Sequence, residues 1–381
     1  MWGYVFTLAP LILLGFPPTS VLVLQFALSL VGLWSAYKLL NIEPRLWHLF
    51  FAIPYFAMCS VKWPQAITTS VLPVALLMLS RAFQERRIGY TIGAGLLFGI
   101  LLNMRSELLV PILFLVAFLF VGGFRSEART AAIAVLIALA TLGPWVARSV
   151  AYDGVVRFGT TNRGGVLYIS LGQLPGNPWH IGYSDKYAFA YARKHGVENP
   201  WSPEGDRILT QAFVEAVERH PVAYVRKVAW TAFLSVAGGL YTGEYDEWIP
   251  TRTKDNIKKA IAAERSPFAK ARTLLAQGPI GALLVSAEKI LFRVFQLVWF
   301  ALATLLVVLF ERDRRHTPSH PIVLIIASWL LAKIILSALV QYEPRHMTEI
   351  YLLVFLAVVR LWHDRAGREA HGPGDATLQE A

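Results

Sequence analysis

Apolar residues run through this chain in blocks of 16 to 28 positions, separated by short polar connections. A helix needs roughly 17–25 apolar residues to cross the hydrocarbon core of a membrane. The blocks at 20–40, 46–61, 66–83, 88–104, 108–124, 129–150, 283–310, 320–341 and 346–362 are therefore predicted spanning helices. An earlier run at 3–16 is short for a span and ends at Gly15-Phe16-Pro17-Pro18, which suits an interfacial or re-entrant segment. The expected fold class is an all-α polytopic membrane protein of about nine spans plus interfacial helices.

Charge gives the blocks a direction. Lys38, Arg45, Arg81, Arg86, Arg87, Arg125, Arg129, Arg312, Arg314, Arg315, Arg360, Arg365 and Arg368 fall in one set of connections, whereas the alternate short ones hold only Lys62, Arg105 and Arg345. The positive-inside rule makes the first set cytoplasmic. The C-terminus is then inside, and residues 151–282 lie outside. The run Val222–Leu240 carries Arg226 and Lys227, and a crossing there would invert the pattern that follows. It is expected to lie in the outer interface, with both basic residues at headgroup level.

Four regions follow: 1–150, an interfacial helix with six spans; 151–282, a small, mostly helical external region; 283–362, the C-terminal spans; and 363–381, a polar cytoplasmic tail expected to be disordered. Within the external region, Ser202-Pro203 reads as an N-cap with proline at the first helical position. Ile208, Leu209, Ala212, Phe213, Ala216 and Val217 then make one apolar stripe. A second helix is expected from Ser266-Pro267 to Gly278-Pro279. Both are expected to pack down on the membrane helices.

A hydrophobic fraction of 55% excludes a soluble globular chain. The net charge of +11 sits at helix ends, so it argues for membrane lipids rather than nucleic acid as partner. The single Cys59 offers no disulfide. The nine histidines show no metal-site spacing, and no P-loop or dinucleotide-binding glycine pattern is present.

Candidate chemistry gathers in three polar clusters on the outer side. They are Asn103-Met-Arg105-Ser-Glu107, Arg148 with Asn162-Arg163-Gly164-Gly165, and Gln341-Tyr-Glu343-Pro-Arg345-His346. Arginine matches phosphate oxygens bidentately, and the outer surface is where a lipid phosphate sits. Each cluster also has a plain reading. Arg105 and Glu107 can close a helix turn, and Arg148 can be an interfacial anchor. Gly164 and Gly165 can form an ordinary turn or permit close backbone approach to a ligand.

The order of these motifs resembles the bacterial lipid-linked glycosyltransferases of the GT-C superfamily, in the protein O-mannosyltransferase-like family 39 that includes lipid A aminoarabinose transferases. The segments are Gly15-Phe-Pro-Pro-Thr-Ser-Val-Leu-Val-Leu-Gln-Phe, the Gly95–Met104 helix running into Arg105-Ser-Glu-Leu, and Gly143-Pro-Trp-Val-Ala-Arg148. Thr161-Asn-Arg-Gly-Gly-Val-Leu-Tyr, Gly176-Asn177-Pro178 and Tyr342-Glu-Pro-Arg-His follow, so that the likeness covers residues 1–362. It implies a GT-C-like helical bundle in the bacterial inner membrane, with its main loop periplasmic. It also implies transfer of a sugar from a polyprenyl-phosphate donor to an acceptor hydroxyl on a glycan, lipid or protein.

Under that likeness Arg105, Arg148 and Arg345 hold the donor phosphate. Glu107, Asn162, Gly164, Gly165, Tyr168, Glu343 and His346 line the sugar and acceptor side. A divalent metal is the one cofactor left open. The family's acidic pair lies between its first span and the short interfacial helix, where this chain begins. Span parity asks independently for one more preceding helix, so the expectation is that a further span and loop lie upstream. Asp153, Glu244 and Asp246, with Asp185 and Glu247, are the external acids left as candidate bases. Two other readings stand beside the transferase. One is an O-antigen ligase or polymerase-like enzyme, and the other is a non-catalytic lipid-phosphate-binding remnant. A transporter ranks lower, because the ionisable groups gather on one face and no repeat is present.

Overall fold

The computed structural model describes residues 9–11, 13–17, 20–59, 64–154, 156, 162–238, 240, 279–314 and 321–371. The described residues form helices and turns, with no strand among them. In chain order the helices are α1 (Ser20–Leu40), α2 (His48–Phe51), α3 (Ile53–Cys59), α4 (Pro64–Glu85), α5 (Ile88–Met104), α6 (Leu109–Val121), α7 (Arg125–Ala140) and α8 (Gly143–Asp153). Then come α9 (Arg163–Ser170), α10 (Asp185–Lys194), α11 (Pro203–Arg219), α12 (Pro221–Ala237), α13 (Pro279–Arg314), α14 (Pro321–Leu339) and α15 (Pro344–His371). Short 3₁₀ turns occupy Ser106–Leu108 and Leu171–Gln173.

Among the described residues five stretches are long and apolar enough to cross a membrane: Ser20–Leu40, Pro64–Glu85, Arg125–Tyr152, Ile290–Leu309 and Pro321–Leu339. Ile88–Met104 and Ser106–Val121 are shorter apolar helices. The span expected at 46–61 is instead broken into α2 and α3. Pro54 is the reason: it has no N–H to donate to Phe50, so the helix stops and restarts at Ile53. The pieces stay attached through aromatic contact, with Phe51 stacked on Phe355 at 4.7 Å.

The centre of the bundle is α15. From Ile350 to Val359 every residue is buried, and a helix apolar all round must be enclosed by others. α1, α3, α4, α13 and α14 all pack on it. On the far side α5 crosses α7 closely, because Gly95 and Gly99 present bare backbone four residues apart. A methyl group at Gly95 would fall on Ala134 O and Ile137, and one at Gly99 on Thr141. Small residues at this spacing let apolar helices approach within van der Waals range where no hydrophobic force drives them together.

The outer helices have their own small core, which departs from direct packing on the membrane helices. Tyr168 and Ile169 of α9, Ala188 of α10 and Leu209 and Ala212 of α11 are buried together, with Phe213, Ala216 and Val217 against them. The expected N-cap is present, with Ser202 Oγ accepting the Gly205 N–H at 3.1 Å and Pro203 following. The helix expected at 266–278 lies outside the described residues.

α12 ties this layer to the bundle. Lys227 on it is fully buried within the protein. Its Nζ donates to the carbonyls of Ala338, Leu339 and Val340 at 3.2, 3.3 and 2.6 Å, where α14 ends. A helix C-terminus has unpaired carbonyls and a partial negative charge, so a lysine there satisfies both. Arg226, one residue away, is exposed. Sequence alone does not separate the two, because which neighbour meets the carbonyls depends on the roll of α12 against α14.

Candidate functional site

The α5–α6 connection is built on a backbone break. Arg105 is extended (φ −149°, ψ 99°), which ends α5 and turns the side chain inward, leaving the residue 4% exposed. Its guanidinium binds Glu349 of α15 on one side, while Nε donates to Glu107 Oε1 at 2.5 Å on the other. Glu349 also accepts Lys333 Nζ of α14 at 2.5 Å and Thr68 Oγ1 of α4 at 3.3 Å. Four segments thus meet on one charged knot inside the bundle. Isolated charges there would carry a desolvation penalty of several kcal/mol each, so mutual pairing is what permits them.

The α14–α15 connection supplies a second group. Glu343 pairs with Arg345 and lies 3.7 Å from His346 Nε2. Its Oε1 accepts Gln341 Nε2 at 3.0 Å and the Tyr183 hydroxyl at 2.9 Å. Burial, then the adjacent Glu343 carboxylate, hold that phenol above its usual range, so it remains a donor. Gln173 anchors the same connection, donating to Tyr342 O at 2.7 Å and accepting its N–H at 3.0 Å.

Both groups open onto one cavity of about 1280 Å³ between the ends of the membrane helices and the outer layer. Arg105, Glu107, Lys333, Gln341, Arg345 and His346 form the bundle side of its wall. Asn162 and Arg163 of the α9 start, with Glu204, Asp206, Arg207 and Thr210 of α11, face them. Leu336, Val340, Val156 and Val166 add apolar wall. Five Lys/Arg and three Asp/Glu line the wall, and Glu349 and Glu343 lie directly behind it on Arg105, Lys333 and Arg345, so an anionic ligand has to compete with these carboxylates for the cations. Thr210 Oγ1 and Gln341 Oε1 on this wall are buried and have no hydrogen-bond partner among the described residues.

The structure therefore brings Arg105, Glu107, Asn162, Arg345 and His346 to one cavity, with Glu343 directly behind Arg345. It does not bring Arg148 there. That side chain is exposed on α8, its guanidinium 5.5 Å from the Tyr152 ring and 6.0 Å from the Trp145 ring. Gly164 and Gly165 prove to be helical, and protein fills the space beside them. A methyl group on Gly164 would meet Asp206 O and Thr210, and one on Gly165 the Trp201 ring. Gly164 N–H donates to Asp206 Oδ1 at 2.6 Å. These glycines fit α9 to α11 and the Trp201 ring; the close approach is to the protein itself. Tyr168 packs in the outer core 5.0 Å from the Tyr191 ring, and burial pushes its hydroxyl up to about 12. The Asp153 side chain, Glu244 and Asp246 lie outside the described residues.

Lys333 and Glu349 were missed in the sequence, although the signal was there. Lys333 is the one Lys, Arg, Asp or Glu in the block 320–341 and Glu349 the one acid in the block 346–362, and ionisable residues inside apolar blocks mark buried partners or functional sites. Among the described residues no three His, Cys, Asp or Glu side chains are grouped to hold a metal ion.

Comparison with known protein families, curated proteins and solved structures finds no match for this chain.

Proposed function

We propose that this chain is an integral-membrane glycosyltransferase with a GT-C-like bundle. It takes a sugar from a polyprenyl-phosphate donor and transfers it to an acceptor hydroxyl at the outer face of the cell membrane. The observation that carries the reading is the single cavity in which Arg105, Lys333 and Arg345 meet at the ends of apolar helices. A lipid-linked phosphate needs this combination of preorganised positive charge, adjoining apolar wall and room for a polar headgroup. In this reading Arg105 and Arg345 stabilise the phosphate as it leaves, and Lys333 adds charge from below. Glu343 and Tyr183 hold Arg345 and His346 in place, and Asn162 and Thr210 face the sugar and acceptor from the outer layer.

A specific observation favours a second reading, a protein that binds the lipid phosphate without transferring the sugar. Each carboxylate on the described wall already holds a donor: Glu107 holds Arg105, Glu204 holds Arg207, and Asp206 holds the Gly164 N–H. A general base needs a carboxylate within reach of the acceptor proton.

The experiment is to reconstitute the full chain in proteoliposomes with a labelled polyprenyl-monophosphate sugar, and separately with a polyprenyl-pyrophosphate glycan. Transfer from the monophosphate supports the first reading. Saturable binding without transfer supports the second, and turnover of only the pyrophosphate would point to a ligase or polymerase and overturn both.

A further inference from the structure

Arg105 is held by two carboxylates of unlike standing. Glu349 is 4% exposed, and both its oxygens are occupied, one by Arg105 and the other by Lys333. Glu107 sits on the cavity wall with its side chain 36% exposed, and Arg105 is the only described side chain that donates a hydrogen bond to it. The edge of the guanidinium that Glu107 covers is the Nε–Nη2 edge. Two parallel N–H groups there form the fork that matches two oxygens of a carboxylate or a phosphate.

An anion entering the cavity thus finds Arg105 already neutralised and can engage it only by exchange. Displacing Glu349 would leave its Arg105-binding oxygen buried and without that partner, which is costly away from water. Displacing Glu107 moves a carboxylate only into the open cavity, where hydration compensates it. We infer that Glu107 is a displaceable internal counter-anion, whose place on Arg105 is taken by a phosphate monoester, the form a lipid phosphate has once its sugar has left, while Glu349 keeps the guanidinium in position. That the monoester is carried on a lipid rests on the transferase reading; the exchange itself does not. The exchange makes and breaks only ion pairs and hydrogen bonds.

The test measures binding of geranyl phosphate, and separately of inorganic phosphate, to the full chain in nanodiscs. Removing the competing charge with Glu107→Gln is expected to tighten geranyl phosphate binding by about tenfold, the scale of one partly buried ion pair. In an Arg105→Gln background the same substitution is expected to change nothing. An unchanged or weakened Kd in the single variant would overturn the exchange.

Should Glu107→Gln fail to fold, carbodiimide labelling of the wild-type chain gives a second readout. Geranyl phosphate should raise modification of Glu107 and leave Glu349 unmodified, and a constant or reduced Glu107 signal would overturn the inference. Equal gains for both probes keep the exchange and remove the lipid. No binding of either probe to the wild-type chain overturns the exchange and the lipid-phosphate reading together. Binding that is indifferent to Glu107 overturns the exchange alone.

Discussion

Arg105 and Glu349 lie 244 positions apart and form an ion pair inside the helix bundle, joining the turn after α5 to the central helix α15. Lys333 on α14 shares the same carboxylate, so Glu349 bridges two buried cations while Glu107 is the second partner of Arg105.

That arrangement is asymmetric. Glu349→Ala leaves buried Lys333 without a carboxylate and Arg105 with Glu107 alone, and is expected to destabilise the detergent-solubilised protein by about 3–5 kcal/mol. Lys333→Met leaves Glu349 still paired with Arg105 and is expected to cost clearly less. Thermal or denaturant unfolding of the two variants checks the order; equal losses would mean that the pairs do not share the carboxylate as described.

The α5–α7 crossing predicts a second asymmetry within one helix. Gly99→Ala places a methyl group against Thr141 and is expected to cost about 1–3 kcal/mol by overpacking. Gly89→Ala in the first turn of the same helix meets nothing within 4 Å and is expected to be close to neutral. Unfolding midpoints of the two alanine variants decide it.

Much of this was legible in the sequence, and the failures have a common form. The apolar blocks located α1, α4, α5 and α14, because helix length and lipid exposure are written in residue order. Ser202-Pro203 located the start of α11, because a cap is a local bond. The clusters around Arg105 and Arg345 were legible as unusual charge between apolar helices. Their meeting with Lys333 and Glu349 was not, since it depends on how α4, α14 and α15 roll against each other. Arg148 shows the converse. Its Gly-Pro-Trp setting is locally distinctive, yet the helix carries the side chain to an exposed face. Gly164 and Gly165 suggest a turn or an approach to a ligand in the sequence, but they are helical and pack against Asp206, Thr210 and Trp201.

Lys227 predicts a pH dependence. Burial lowers its ammonium to about 7 from an ordinary value of 10.5. Between those values the unfolded chain binds the proton that the folded chain has shed, so stability rises with pH. The wild-type melting midpoint should therefore climb from pH 7 to pH 9 relative to Lys227→Met and run parallel to it below pH 7. A parallel course throughout would contradict a buried, easily deprotonated Lys227.

Arg345 and Arg148 separate a wall residue from a surface one. Arg345→Ala should lower transfer by about 10²–10³, the usual loss when one charge-stabilising donor is removed. Arg148→Ala should leave transfer within about twofold, as is usual for a surface substitution away from the site. Turnover of the two variants, with insertion into membranes verified, gives the answer; a large loss in Arg148→Ala would move the site away from the cavity.

The most direct measurement is photo-crosslinking of the reconstituted protein with a polyprenyl phosphate bearing a diazirine next to the phosphate, followed by peptide mapping. Labels at residues 104–107 and 333–346, competed away by unlabelled lipid, are the predicted result. Labels confined to the lipid-facing sides of α1 and α7, without competition, would contradict the assignment of this cavity as the lipid-phosphate site.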